Sequence, residues 1–160
     1  MKLSGRIEVA APAREVWDFV LDPVRLASCV PGIGEVREID GRTFEGTISA
    51  SVGPMHGDFT FRSVIERADF PSDLVVAIAG TDSITHSTIE MSVSASLESL
   101  AADRTQMEYA MDVNVKGRLA ILGEMVLRAT AGAMIGQVSV CLRNRLETGP
   151  SDAATSGGGR

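Results

Sequence analysis

Two stretches constrain this chain more than any other feature: "STIEMSVSASLES" (87–99) and "QMEYAMDVNV" (106–115). In the first, Ile89, Met91, Val93, Ala95 and Leu97 alternate with Glu90, Ser92, Ser94, Ser96 and Glu98. In the second, Met107, Tyr109, Met111, Val113 and Val115 share one side. A period of two is the signature of a strand with one face buried, and apolar-in, polar-out alternation belongs to an antiparallel sheet solvated on one side. "TFEGTISASV" repeats it with Phe44, Ile48, Ala50 and Val52. "DFTFRSVIER" does so with Phe59, Phe61 and Ile65, although Val64 falls out of step, and "LVVAIA" is a short apolar run. Turn residues separate the runs at Asp40–Gly41, Gly53–Pro54, Pro71–Ser72–Asp73 and Ala101–Ala102–Asp103. The pattern predicts a meander whose apolar face must be covered by another layer.

The ends of the chain supply the cover. "LSGRIEVAAP" reads as a first strand, with Leu3, Ile7 and Val9 alternating. Pro12 suits the first turn of a helix, where its missing N–H has no partner to lose. "PAREVWDFVL" then places Val16, Phe19 and Val20 on one stripe, and Asp22–Pro23 ends it. "VRLASCV" allows a short second helix before Pro31 and Gly32. The last element, "LAILGEMVLRATAGAMIGQVSVCLRNRLE", is a long helical pattern with Leu122, Met125, Ala129, Ala133, Gly136 and Val140 on the stripe expected to face the sheet. Its small residues fit either close backbone packing or unfilled space under a curved sheet. One domain over 1–147 is expected, followed by a disordered polar tail, "TGPSDAATSGGGR", over 148–160.

Charge and composition exclude several functions. A net charge of −6 argues against nucleic-acid binding. The charge is uneven: residues 68–115 sum to −7, and 116–146 to +4, the latter suiting an anionic surface or acidic partner. Two cysteines, Cys29 and Cys141, stand without a secretion signal, which predicts free thiols and a cytoplasmic protein. No apolar run reaches the ~18–20 residues of a spanning helix. His56 and His86, thirty residues apart, give no metal-site spacing, and both read as surface residues near turns. Cys29 lacks the electropositive setting of a reactive thiolate. No catalytic residue, metal or cofactor is expected.

The order of strand, two short helices, meander and long last helix is similar to the START-like (SRPBCC) helix-grip superfamily, an α+β fold in which an antiparallel sheet wraps around the C-terminal helix. Within it, the chain resembles the carbon monoxide dehydrogenase G-subunit family. The shared features are Ile7–Val9, Pro12, Val16–Trp17, Asp22–Pro23, the Val30–Pro31–Gly32 turn, the Gly53–Pro54 hairpin and the helical start "KGRLAILGEMVL". That resemblance implies a non-enzymatic accessory protein for a molybdenum hydroxylase of the carbon-monoxide-dehydrogenase type. Such a protein recruits the enzyme to the inner face of the membrane and handles an apolar acceptor such as a quinone. The chain lacks an amphipathic segment after Leu146, so any membrane contact is expected to be transient.

Together these readings predict a cavity for a quinone- or lipid-like molecule, because methionine-rich apolar surfaces adapt to irregular ligands. Its expected lining is Phe59, Phe61, Met91, Val93, Met107, Tyr109 and Met111 from the strands, with Leu122, Met125, Ala129, Ala133 and Gly136 from the helix. Tyr109 would offer the orienting hydrogen bond. Val30, Pro31, Gly32 and Ile33 are expected at the cavity mouth. The alternatives are a docking partner with a solid core, a generic lipid carrier, or an enzyme acting on an apolar substrate.

Overall fold

The computed structural model describes residues 1–147; the expected polar tail lies outside them. Seven antiparallel strands form one sheet: β1 (Lys2–Val9), β2 (Ile33–Glu38), β3 (Thr43–Val52), β4 (Met55–Asp69), β5 (Asp73–Asp82), β6 (Ser87–Ala101) and β7 (Arg104–Lys116). Their order is β1-β7-β6-β5-β4-β3-β2. The meander runs from β2 to β7, and β1 returns to pair with β7, from Lys2 opposite Asp112 to Val9 opposite Thr105.

The predicted alternation sets the inner face. Rows of inward side chains cross the sheet: Leu3, Met111, Val93, Val76 and Ile65 in one, Val113, Met91, Ile78 and Ser63 in the next. Val64 falls out of step because it lies on the outer face, paired in regular register with Thr43 and Ala77; the bulge of β4 comes after it, between Ile65 and Arg67.

Between β1 and β2 lie α1 (Ala13–Val20) and α2 (Pro23–Ala27). The Asp22 carboxylate caps α2, accepting the Val24 and Arg25 N–H groups at 3.2 Å, with Pro23 in the first helical turn. α1 buries Val16, Trp17 and Phe19, and the Trp17 ring meets Phe70 edge-on at 5.5 Å.

The long last helix expected from the sequence is two elements. Residues Arg118–Leu122 form a 3-10 turn, Gly123 breaks the path with φ of +88°, and α3 runs over Glu124–Glu147. Polar contacts tie α3 to the free edge of β1. Arg128 donates to the Lys2 carbonyl (2.8 Å), Arg143 to the Glu8 carbonyl (3.2 Å), and the Glu147 carboxylate accepts the Ala10 N–H (2.8 Å). These contacts satisfy groups that an edge strand otherwise leaves open.

The two cysteines are joined. Cys29 follows α2, Cys141 lies in α3, and they form a disulfide with a Cα separation of 5.4 Å. This corrects the expectation of free thiols: 112 residues of sequence separation gave no sign that the fold would bring these two positions together.

Candidate functional site

The space between sheet and α3 is packed at its ends and loose in its middle. At the α1 end, Ile7, Val9, Val16, Trp17, Phe19, Leu97, Met107 and Leu142 form a contiguous core, with Val138 and Cys141 of α3 against it. At the far end, Val52, Phe59 and Leu119 form a smaller one, against which Leu122, Val126 and Leu127 pack. Phe61, Met91, Val93 and Met111 lie between them on the inner face. They are only half-buried and belong to neither core, and so are Met134 and Ile135 of α3.

The strand residues expected around a ligand therefore divide. Phe59 and Met107 are buried in the two cores, whereas Phe61, Met91, Val93, Tyr109 and Met111 are half-buried on the inner face. Two glycines give the aromatic rings room. Gly5 is paired with Tyr109, and a Cβ added there would stand 2.5 Å from the Tyr109 hydroxyl; at Gly46, paired with Phe61, it would stand 3.0 Å from that ring. The rings thus lie across neighbouring glycines, an arrangement that shields exposed backbone in a sheet. The Tyr109 hydroxyl has no hydrogen-bond partner among the described residues.

The helix side differs from the expectation. Met125, Ala129, Ala133, Gly136 and Val140 are not turned into the sheet: Met125 and Val140 are exposed, and a Cβ on Gly136 would meet nothing within 4 Å. Of that stripe only Leu122 packs inward, from the 3-10 turn. The sheet side of α3 is instead Val126, Thr130, Met134, Val138 and Leu142, a row at i+4 spacing, with Leu127, Ala131 and Ile135 beside it. α3 is apolar nearly all round, so periodicity allows two phases, and the contacts with β1 and the disulfide select one.

At the expected mouth, Val30, Pro31 and Ile33 are half-buried and Gly32 is exposed, with φ of +79°. The Gly32 carbonyl accepts the Ser49 N–H at 2.9 Å, and a Cβ on Gly32 would collide with the Ser49 carbonyl. Glycine here meets a close backbone approach as well as a left-handed conformation. Cys29 is buried in the α1-end core.

One buried polar cluster escaped the sequence reading. The Asp82 carboxylate accepts the Ile84 N–H (3.0 Å) and the Thr85 hydroxyl (2.8 Å). Thr85 lies 2.9 Å from the Ser87 hydroxyl, which accepts the Leu119 N–H (3.1 Å). Burial pushes the Asp82 carboxyl up, but the Thr85 hydroxyl and the N–H groups of Ile84, Thr85 and Asp58 outweigh it and hold it below the usual carboxylate range. The cluster fastens the β5–β6 turn to the 3-10 turn, and its polar atoms are all satisfied. His56 and His86 are exposed near the same end.

Two shallow, open grooves lie outside the space between sheet and helix. One follows the solvent side of α3 along Ala133, Gly136, Gln137 and Val140; the other crosses the outer face of the sheet near Arg62, Ala77, Glu90 and Asn114. No cluster of three or more potential metal ligands occurs among the described residues. α3 has the length and composition to cross a bilayer, with a mean hydropathy of 1.5 over an 18-residue window, against the expectation that no segment would.

A seven-stranded antiparallel sheet closed by a long C-terminal helix, with short helices after the first strand, defines a helix-grip protein of the START-like class. Solved structures agree. A conserved protein from Geobacillus kaustophilus is similar at a TM-score of 0.82 and 18% identity, over 98% of this chain and 97% of that one. The Zhui aromatase/cyclase from Streptomyces sp. R1128 is similar at 0.69 and 18%, over 100% and 99%. A START superfamily protein from Mycobacterium smegmatis is similar at 0.66 and 18%, over 92% and 97%. No curated protein matches the sequence. The model of the CoxG family, the G-subunit of carbon monoxide dehydrogenase, matches residues 5–147, and the chain belongs to that family.

Proposed function

We propose that this protein is a non-enzymatic carrier that holds a quinone- or lipid-like molecule between the sheet and α3, serving a carbon-monoxide-dehydrogenase-type molybdenum hydroxylase at the inner face of the membrane. The observation that carries this reading is the loose belt of Phe61, Met91, Val93, Met111, Met134 and Ile135 between two packed cores. Protein interiors are ordinarily close-packed, so an apolar belt left half-buried is surface available to a guest. Its three methionines repack at little cost, and the Tyr109 hydroxyl at its border supplies one polar anchor. Family membership supports the link to the hydroxylase.

The fold also hosts catalysis, as the name of the aromatase/cyclase neighbour records. The residues facing the belt favour carriage. Tyr109, Ser63 and Thr130 are its polar groups, Thr130 is committed to the Val126 carbonyl (3.0 Å) and Thr105 to the Ala11 carbonyl (2.8 Å), and both histidines are exposed outside it. Tyr109 is the titratable group among them, so general acid–base chemistry would rest on one phenol without a hydrogen-bonded partner among the described residues.

Mass spectrometry of small molecules extracted from gently purified protein, with titration of menaquinone and ubiquinone analogues, tests this. Expected is a co-purifying apolar molecule or saturable binding, abolished by Met111→Trp with the circular dichroism spectrum unchanged. Protein that is empty and binds neither analogue would sink the carrier idea. A second reading, a docking partner, is favoured by the two grooves on outer surfaces. Capture of the hydroxylase that survives Met111→Trp would support docking over carriage.

A further inference from the structure

Large apolar side chains reach solvent at both ends of the sheet. At the 3-10 end stand Ile84 in the β5–β6 turn, Ile121 in the 3-10 turn and Met125 in the first turn of α3, which are 72%, 82% and 85% exposed. At the α1 end stand Phe70 in the β4–β5 turn and Leu100 near the end of β6, each less than half exposed. The residues of the 3-10 end share one surface, because the β5–β6 turn lies directly against the 3-10 turn. The Leu119 N–H donates to the Ser87 hydroxyl (3.1 Å), and a Cβ on Gly117 would collide with the His86 carbonyl. Ile84 and Ile121 therefore stand out from neighbouring turns.

Charge separates the two groups. Beside Ile84 and Ile121, Lys116 and Arg118 are exposed, and neither side chain has an ion pair or hydrogen bond among the described residues. The acids of that end are engaged: Glu124 with Arg128 (2.8 Å), Asp58 with His56 (3.3 Å), and Asp82 buried among hydroxyls. Beside Phe70 and Leu100 the order is reversed. Arg14 is paired with Asp18 (3.4 Å), Arg67 with Asp73 (3.1 Å) and Arg104 with Glu8, while Asp69 and Asp103 are exposed without an ion pair among the described residues. Exposed apolar groups rimmed by polar ones mark protein or membrane contacts. Protein interfaces favour aromatic side chains, and the 3-10 end exposes isoleucine and methionine instead. Aliphatic side chains flanked by unpaired cations suit the boundary of an anionic bilayer, where one kind enters the acyl layer and the other meets lipid phosphates.

We infer that the 3-10 end is a membrane-docking surface, which seats Ile84, Ile121 and Met125 in an anionic leaflet with Lys116 and Arg118 at the headgroups. The inference rests on the carrier reading for its use. The 3-10 end holds the smaller core, and the disulfide ties α3 at the other end, so the belt opens most readily toward the docked lipid.

Flotation of the full chain with vesicles of phosphatidylglycerol and phosphatidylcholine in equal parts, against vesicles of phosphatidylcholine alone, gives the test. Association is expected with the first and roughly tenfold less with the second. Ile84→Ser and Ile121→Ser are each expected to weaken it roughly tenfold, and Lys116→Gln and Arg118→Gln about fivefold each. Leu100→Ser, at the acidic end, should change nothing. All five variants should keep the circular dichroism spectrum of the wild type and its binding of a menaquinone analogue in lipid-free solution, so that docking and carriage are read separately. A wild-type chain that floats with neither vesicle overturns the proposal, whether or not it binds the analogue. So does flotation that both isoleucine variants leave intact or that Leu100→Ser weakens equally. Capture of the hydroxylase that needs Lys116 and Arg118, without vesicle binding, assigns the surface to a protein and overturns it too. Flotation with the expected dependences by a protein that binds no analogue sustains the docking surface and sinks the carrier reading alone.

Discussion

The two ends of the sheet–helix interface are built differently. At the α1 end three elements converge on the sheet: Val9 and Val16 are fully buried, Phe19 and Leu142 are 1% exposed, and a disulfide ties α3 to the segment after α2. At the 3-10 end, Val52, Phe59 and Leu119 are the buried apolar residues of the core, and a polar cluster around Asp82 supplies much of the fastening. The belt between them has neither. Local opening follows the density of buried contact, so α3 is anchored at its C-terminal half and more easily displaced toward its start. Under the proposed carrier role one fixed end of the gripping helix is enough to admit a guest, and the disulfide-bound end is the fixed one.

The difference breaks or stands on stability measurements. Phe19→Ala, in the dense core, is expected to lower unfolding free energy by about 3–5 kcal/mol in denaturant titrations, whereas Met91→Ala in the belt should cost about 1 kcal/mol, because large-to-small losses scale with the cavity left behind. Equal losses at the two positions would mean the belt is packed as tightly as the core. Replacing both Cys29 and Cys141 with serine should cost about 2–5 kcal/mol, the usual range for a native cross-link. A reductant should lower the melting temperature of the wild type to match. An unchanged melt, with two titratable thiols in the oxidised protein, would remove the covalent anchor from the comparison.

The smallest effect concerns the other end and is read in pH. With its carboxyl held below the usual range, Asp82 binds a proton less tightly in the folded than in the unfolded chain. Its stabilisation is therefore present above an ordinary carboxylate pKa of about 4 and is lost as pH falls through the lower folded value. Asp82→Asn should be less stable than wild type at neutral pH, with the difference narrowing in acid. A difference that stays constant from pH 7 to pH 3 would show that the ionised carboxylate is not what fastens the 3-10 turn.

Much of this architecture is readable from the residues, and the failures share a cause. The strands are legible because one-sided burial forces a period of two, visible residue by residue from Ile89 to Leu97 and from Met107 to Val115. Asp22–Pro23 marks a helix boundary, and the Asp22 carboxylate caps the helix that follows. The phase of α3 is not legible, since Met125, Ala129 and Val140 are as apolar as Val126, Met134 and Val138. A helix apolar on every side declares no inner face. Cys29 reads as an isolated small apolar residue because nothing near it in sequence points to Cys141.

What the sequence determined by itself is the layer plan: a first strand, a pair of short helices, a meander with one apolar face, and a long helix to cover it. Alternation, capping and turn chemistry are local, and local physics is written in consecutive residues. Only the tertiary structure decided which side of α3 meets the sheet, that Gly123 separates it from a 3-10 turn, that Cys29 and Cys141 are joined, and that Asp82 is buried among hydroxyls. Each of these depends on groups distant in sequence meeting in space, and the loose belt is their joint product. It is the interval between two cores whose positions no single segment specifies.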